Sequence, residues 1–537
     1  MNRRNFLKQI GIGIGTASVL PGCKSIGKRN TAQNKKTNFL IFIFDDLNMQ
    51  VGCYGNKCIK TPYIDALAGN GVRFSRAYVQ QPVCAASRSS ILTGMYPDTT
   101  GVGYPYSYYF VEEVIPKYGT LPQYFFKNGY YTRLFGKVHH GYEEVLSEPN
   151  FLPKHKKYHL PENEKLPYSQ QPPFEKADAP DSDYEDYKTA EAVIKGLQDA
   201  SGRNEPFFFG VGLLKTHVPL NAPSKYWEMY DSVDIPLAEN KYRPKDIPQI
   251  AFDRYNLRQY KWEHSDPDEL FSDEYARKVR QAYYACVTFA DIQIGRIMNE
   301  LERQGLTDDT VVILASDHGY HLGELNHWGK TTLYEPSLNS PLIVSGKGIH
   351  NRGKNCNGLV EYIDIMPTML DMAGIPIPQH VEGTSFKPLL DNPNQSWKKA
   401  AFSRQTRGWL EEYVGRSIRT DKYRYTEWQN ILDNKFLGRE LYNLSTIPYE
   451  KENIVNLPEN TEIVKELSVQ LHKGWKSTLP DGITNNSNNK PAPPPYSWGD
   501  EGVSRREQWH KRFGGNESEG WRKATERRLK KESEIKG

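Results

Sequence analysis

The sequence predicts an α/β fold, a large sheet flanked by helices, and two observations carry that prediction. Short apolar runs end abruptly in polar residues, the pattern of strands buried on both faces. Segments of helical period lie between them, and strands alternating with helices build such a sheet. The runs are Asn38–Phe44, ending in Asp45-Asp46; Tyr131–Phe135, ending in Gly136-Lys137-Val138-His139-His140; Phe207–Leu213, ending in Leu214-Lys215-Thr216-His217; and Val311–Ala315, ending in Ser316-Asp317-His318. The helical stretches are Pro62–Gly69, Leu121–Asn128, Asp183–Ser201 and Ser272–Gln304. Ligands of open α/β sheets bind outside the carboxyl ends of the strands. Charged residues commonly close strands, so each run alone says little; the convergence of carboxylates, lysines and histidines on one edge points to chemistry.

A proline-containing break at Asn392–Gln395 precedes a second region. Ser417–Trp428 alternates with period two, as a half-exposed antiparallel strand does. Leu441-Tyr442 begins another strand, and Glu462–Leu479 reads as a helix. Asn485–Pro495 is a linker by composition, and a charged tail follows. The expected organisation is an export signal at residues 1–23, a tether at 24–36, a catalytic domain at 37–394, a smaller antiparallel-sheet subdomain at 395–484, and linker with tail at 485–537.

Composition excludes several classes of protein. Sixty-nine Lys and Arg against 65 Asp and Glu leave a net charge of +4, which argues against a nucleic-acid coat built on positive charge. Aromatic residues make up 12%, which disordered chains do not reach. Six cysteines, at 23, 53, 58, 84, 286 and 356, form neither a zinc repeat nor a disulfide framework, though Cys53 and Cys58 are near enough in sequence to pair. Arg3-Arg4-Asn5-Phe6-Leu7-Lys8 resembles a twin-arginine export signal, and the apolar stretch Ile10–Val19 is too short to span a membrane. It ends in Leu20-Pro21-Gly22-Cys23, which resembles a lipobox with Cys23 as the lipidated residue. The expectation is export, with a lipid anchor facing the periplasm as the only membrane contact.

Pro82-Val83-Cys84-Ala85-Ala86-Ser87-Arg88, followed by Leu92-Thr93-Gly94, sets a cysteine at a helix start with an arginine one turn on. A helix N-terminus and a guanidinium both favour an anionic group. The same pattern resembles the signature of the type I, formylglycine-dependent sulfatases, with Ala86 where proline is commoner. Further matches follow in order: Asp45-Asp46, Thr61–Ala68, Gly71–Phe74, Gly136–His140, Lys215–Pro219, Ser316–Gly319 and Lys330. Pro97–Thr100, Asp317-His318 and Ser417–Trp428 resemble the iduronate 2-sulfatase type within that family.

The resemblance implies an alkaline-phosphatase-like sulfatase fold with a mixed sheet, and it assigns roles. Cys84 would be oxidised by a formylglycine-generating enzyme, and the hydrated aldehyde would attack sulfur. Asp45, Asp46, Asp317, His318 and residue 84 would hold Ca²⁺, or Mg²⁺, with His318 as a ligand or as a partner of the ligands. Arg88 would hold the hydrate, Lys137 and Lys330 would clamp sulfate oxygens, and His217 would protonate the leaving oxygen. His140, or else His139, would complete the catalytic set. A sulfate ester carries negative charge on its outer oxygens and develops more on the departing one, so fixed cations and a proton donor suit its hydrolysis. The implied substrate is a sulfated polysaccharide such as ulvan or a glycosaminoglycan, with the 2-O-sulfate of iduronate or a similar sugar as the target. Tyr104–Phe110 is a candidate lining for the sugar pocket. A phosphonate or phosphodiester hydrolase of the same superfold, or an inactive glycan-binding lipoprotein, is the alternative.

Overall fold

Seven strands form the central sheet: β1 (Asn38–Phe44), β2 (Gly71–Phe74), β3 (Tyr131–Gly136), β4 (Phe207–Leu213), β5 (Thr310–Ser316), β6 (Leu342–Gly346) and β7 (Lys354–Cys356). The computed structural model describes residues 36–489 except 104–117, 141–145, 253–259, 265, 267, 409–412, 432, 446 and 448. The export signal, Cys23, Tyr104–Phe110 and the charged tail thus lie outside the described residues. The strand order is β7-β2-β6-β5-β1-β4-β3. β1 lies between β4 and β5, parallel to both, and β3 is parallel to β4. β6 runs antiparallel to β5 and β2, which makes the sheet mixed.

Burial on both faces explains the unbroken apolar runs. Leu40, Phe42 and Phe44 of β1 pack into one core with Val193 and Leu197 of α4 (Glu185–Ser201) and with Tyr283, Val287 and Ile294 of α5 (Asp273–Arg303). That core also takes Ile64 of α1 (Pro62–Gly69). Phe39, Ile41 and Ile43 point the other way, to Ile91 and Leu92 of α2 (Cys84–Thr93), Phe125 of α3 (Leu121–Lys127) and Met366 and Met369 of α6 (Ile365–Ala373). Alternate residues of one strand therefore serve two helical layers. Among the described residues no helix is long and apolar enough to cross a membrane.

The C-terminal region forms a four-stranded antiparallel sheet of β8 (Ala400–Arg407), β9 (Tyr413–Thr420), β10 (Tyr423–Asn430) and β11 (Phe436–Asn443). Val464, Leu467 and Leu471 of α7 (Thr461–Lys473) pack on Ile418, Tyr425 and Leu441 of its strands. The alternation over Ser417–Trp428 is not one strand but the middle of a hairpin. The chain reverses at Asp421-Lys422, where the Thr420 hydroxyl accepts the Tyr423 N–H at 3.1 Å. Ile418 pairs with Tyr425, so the two-residue phase inverts at the turn while each arm keeps its own alternation, and two alternating arms joined by a short polar turn look like one strand. Cys53 and Cys58, near enough in sequence to pair, are both free thiols.

Candidate active site

The carboxyl ends of β1, β5, β4 and β3 lie side by side, and backbone bonds bind their last residues together. Asp45 N–H donates to Leu213 O at 3.0 Å, Asp317 N–H to Phe44 O at 2.9 Å and Thr216 N–H to Asp45 O at 2.9 Å. Asp46 turns sharply, with φ 70°, a region that Asp enters more readily than most residues. Its N–H donates to Asp317 Oδ1 at 3.1 Å, while its carbonyl accepts the Tyr283 hydroxyl at 2.8 Å and the Thr216 hydroxyl at 2.8 Å. At β3, Gly136 (φ 67°) and Gly212 let two backbones touch. A Cβ on Gly212 would lie 2.0 Å from the Lys137 carbonyl carbon, so only glycine allows Lys137 to turn inward there.

Cys84 opens α2 and is 5% exposed. Its Sγ lies 3.3 Å from Asp45 Oδ1, 3.4 Å from His318 Nε2 and 3.0 Å from Lys330 Nζ. Ligand atoms of Asp45, Cys84, Asp317 and His318 all fall within 4.8 Å of one another. His318 Nδ1 lies 3.0 Å from the Gly319 carbonyl, so Nδ1 carries the proton and Nε2 faces the cluster. That places the ring as a direct ligand candidate rather than only a partner of the ligands. Asp46 sits at the edge of this group, with Oδ1 2.6 Å from Lys330 Nζ and 3.4 Å from His318 Nε2. Its Oδ2 is buried with no hydrogen-bond partner among the described residues.

Arg88 is 1% exposed and its donors are directed to the scaffold of the site. Nε donates to Asp317 Oδ2 at 3.0 Å, Nη2 to Phe44 O at 3.1 Å, and Nη1 to the carbonyl of Lys137. Nη2 also lies 3.8 Å from Asp45 Oδ1. Arg88 thus braces the two carboxylates and the Lys137 turn, a different contact from the one expected with residue 84. Ser87 donates its hydroxyl to the Asp317 carbonyl.

Charge and burial compete at every group. Burial pushes Asp45 up, but Lys137, His217, Arg88 and Lys330 together hold it well below the ordinary carboxylate range. For Asp46 burial prevails over Lys330 and His318 and leaves it at about 7. Burial disfavours charge on His318, yet Asp317 and Cys84 raise it to about 9. Burial acts against Lys330 too, and Asp46, Cys84 and Asp45 still hold it well above its usual value. Lys137 pairs with Asp45 Oδ2 and is raised in the same way. His140 shares this field: burial and Lys137 push it down to about 3. His139 is buried beside it in the chain. His217 is driven well below its ordinary value by burial, with Asp45 opposing, and its Nδ1 lies 2.7 Å from the Val218 carbonyl. Of the Lys215–Pro219 segment, Lys215 turns away: it is buried against Asn221 Oδ1, with its N–H on Asp186 Oδ2 at 2.9 Å.

The donor set suits a hard divalent cation. Asp46 Oδ2 is a buried carboxylate oxygen with no partner among the described residues, it adjoins the ligand atoms of Asp45, Asp317 and His318, and oxygen-rich sites favour Ca²⁺ or Mg²⁺. Asp45, Asp46, Asp317 and His318 are the residues able to hold one.

Motif reading missed the supports. Tyr283 on Asp46 and Arg407 on the Thr331 carbonyl both come from stretches of sequence that carry no motif. Only the fold brings them near.

Comparison with known proteins agrees with this geometry. The family described as Sulfatase matches residues 37–375, and that described as N-sulphoglucosamine sulphohydrolase, C-terminal, matches residues 323–477. The chain is 30% identical to iduronate 2-sulfatase of Mus musculus, over 82% of this chain and 95% of that one. It is 26% identical to an ulvan-active sulfatase of Formosa agariphila, over 86% of each. Among solved structures it resembles the phosphonate monoester hydrolase of Agrobacterium radiobacter, with a TM-score of 0.66, 23% identity and coverage of 81% and 95%. It also resembles a protein solved in complex with its substrate D-glucosamine-2-N,6-O-disulfate, with a TM-score of 0.63, 20% identity and coverage of 82% and 97%. With its strand ends, buried carboxylates and Cys84 in one cluster, the chain belongs to the sulfatase family and is a sulfuric ester hydrolase.

Proposed function

We propose that the protein removes a 2-O-sulfate from iduronate or a similar sugar in a sulfated polysaccharide, using a formylglycine made from Cys84. The observation that carries this reading is the meeting of the Cys84 side chain with Asp45, Asp317 and His318 within 4.8 Å, with Lys330 Nζ 3.0 Å from the sulfur. The thiol occupies the place of the aldehyde hydrate. When hydrated, that aldehyde supplies the oxygen that attacks sulfur and a second hydroxyl whose ionisation expels sulfate. A divalent cation held by Asp45, Asp46, Asp317 and His318 would polarise the sulfate.

The chain's own side chains do the rest. Lys137 and Lys330 meet the outer sulfate oxygens as fixed cations, charges that need no reorganisation during the reaction. Arg88 keeps Asp45 and Asp317 in place. His217, with Nδ1 committed to Val218, presents Nε2 to the leaving sugar oxygen, and a bound sulfate ester supplies the negative charge that favours its protonation. His140 contributes a neutral imidazole beside Lys137. Maturation in the cytoplasm, twin-arginine export and lipidation at Cys23 complete the proposal, because that route carries folded protein.

Incubation with defined ulvan, dermatan and heparan fragments, with desulfation located by NMR, tests the assignment. Loss of sulfate from C2 of the uronate is expected; release from other positions only overturns the regiochemistry. Cys84→Ala should abolish turnover while retaining substrate binding. Faster hydrolysis of an aryl phosphodiester than of an aryl sulfate would transfer the protein to the phosphonate hydrolase class.

A further inference from the structure

Lys137 follows a strand of the central sheet and Arg88 lies on α2, whereas Lys330 follows a strand only two residues long, Trp328–Gly329, paired antiparallel with His321–Leu322. Around it three residues other than glycine take a positive φ: Leu325 at 59°, Asn326 at 51° and Thr331 at 67°. Asn enters the left-handed region readily, but a β-branched residue there is an outlier. Thr331 directly follows Lys330. A strained backbone of this kind persists only where its surroundings over-determine it.

Two side chains grip the backbone at that point. His327 Nε2 lies 2.9 Å from the Lys330 carbonyl, and because a carbonyl only accepts, Nε2 carries the proton. Arg407, the last residue of β8, donates Nη2 to the Thr331 carbonyl and, at 3.4 Å, to the Ala251 carbonyl. Both side chains are buried, and the guanidinium lies 5.6 Å from the centre of the Trp428 ring. The two carbonyls belong to the peptide planes before and after Thr331. Each plane is rigid, so holding both fixes φ and ψ of Thr331 and the direction in which the Lys330 side chain leaves the backbone. His321 is itself tied down behind His327, with Nδ1 3.0 Å from the Glu324 carbonyl and Nε2 2.8 Å from the Thr332 hydroxyl.

We propose that His327 and Arg407 are positioning residues for sulfate ester hydrolysis, holding Thr331 in its left-handed turn so that Lys330 Nζ stays between Asp46 and residue 84. The inference rests on the proposed role of Lys330 at the sulfate and deepens it. Arg407 makes the C-terminal sheet part of the catalytic apparatus, acting through the backbone of the Lys330 loop.

Steady-state kinetics on an aryl sulfate tests it, with the full chain and with kcat referred to the folded, formylglycine-bearing fraction. His327→Gln puts an amide N–H close to the place of Nε2 and should keep most of kcat. His327→Asn is polar but too short to reach, and should lose about ten- to a hundredfold, the scale of a misplacement of about 1 Å. Arg407→Met should lose a similar factor, and Arg407→Lys, which keeps a donor, should lose less. The losing substitutions are then repeated together with Lys330→Met. A positioning residue acts only through the group it positions, so in that background His327→Asn and Arg407→Met should each cost less than about threefold more. Losses of equal size in both backgrounds, as a merely structural role would give, or parent kcat in both single variants, would overturn the proposal. Parent kcat for Lys330→Met alone would instead overturn the role of Lys330 at the sulfate, and the positioning with it.

Discussion

At the scale of single residues the active site is a contest between burial and pairing, and Lys330 shows its outcome. Its ammonium touches Asp46 and Cys84 together, so Lys330→Met removes a fixed cation from the reaction centre and leaves Asp46 without its partner. A fall in kcat of roughly 10²–10³ is expected, the usual cost of losing one preorganised electrostatic contact. Steady-state kinetics on an aryl sulfate checks it, and a change confined to KM would contradict the role. Chelation gives a second prediction. Dialysis against EDTA should abolish activity and lower the melting temperature, since three buried carboxylates would lose their counter-cation; Ca²⁺ or Mg²⁺ should restore both. The carboxylates were legible in the sequence because each closes or follows an apolar strand, whereas Lys330 was named only through the family resemblance. Arg88 was legible as a site residue, but its direction was not. Whether a guanidinium reaches toward residue 84 or back to Asp317 depends on strand ends hundreds of residues apart.

At the scale of elements, the loop from His321 to Lys330 connects catalysis to pH. His321 and His327 are buried with their rings 4.8 Å apart, and His327 Nε2 lies 2.9 Å from the Lys330 carbonyl. Burial holds His321 at about 4, against the opposing pull of Glu324, and holds His327 well below its ordinary value. Below pH 6.5 the unfolded chain therefore binds more protons than the folded one, so stability falls as the pH drops, and the loss from His321 is complete only below about 4. Urea denaturation between pH 7 and 4 should show that decline, and His321→Gln should flatten it. The β3–β4 contact gives a geometric counterpart. Gly212→Ala would drive a Cβ into the Lys137 backbone; a loss of about 1–3 kcal/mol, as for other overpacked sites, and of most activity is expected from urea titration and kinetics. The strands themselves were easy to read. The hairpin in Ser417–Trp428 was not, because period two says which face a residue takes and nothing about where the chain reverses.

At the scale of the whole molecule, the C-terminal sheet is fixed to the central one by buried charge, and that attachment is what brings Arg407 to the Lys330 loop. Arg424 of β10 is 1% exposed; its Nε donates to Glu450 Oε1 at 3.0 Å and its Nη2 pairs with Glu335. Arg419 of β9 reaches the same Glu335 oxygen at 2.8 Å, and the Glu335 N–H returns to Glu450 Oε1 at 2.9 Å. Buried pairs of this kind cost desolvation in forming, so their value lies less in net stability than in the penalty for breaking them. Arg424→Met should accordingly destabilise the fold by about 3–5 kcal/mol, because Glu450 and part of Glu335 would stay buried without a counter-charge. Replacing Arg424 and Glu450 together, by Arg424→Met and Glu450→Gln, should recover much of that loss, since Glu335 keeps Arg419 as its partner and no charge is then stranded. The two variants also separate stability from function. Arg407 donates to the carbonyl of Thr331, a residue at φ 67° next to Lys330, and it can do so only while β8 stays seated. The double variant should therefore recover activity along with stability, as measured by urea midpoint and aryl sulfate turnover on the same preparation. Recovered stability without recovered turnover would mean that the ion network sets the position of Lys330 and not merely the attachment of the sheet.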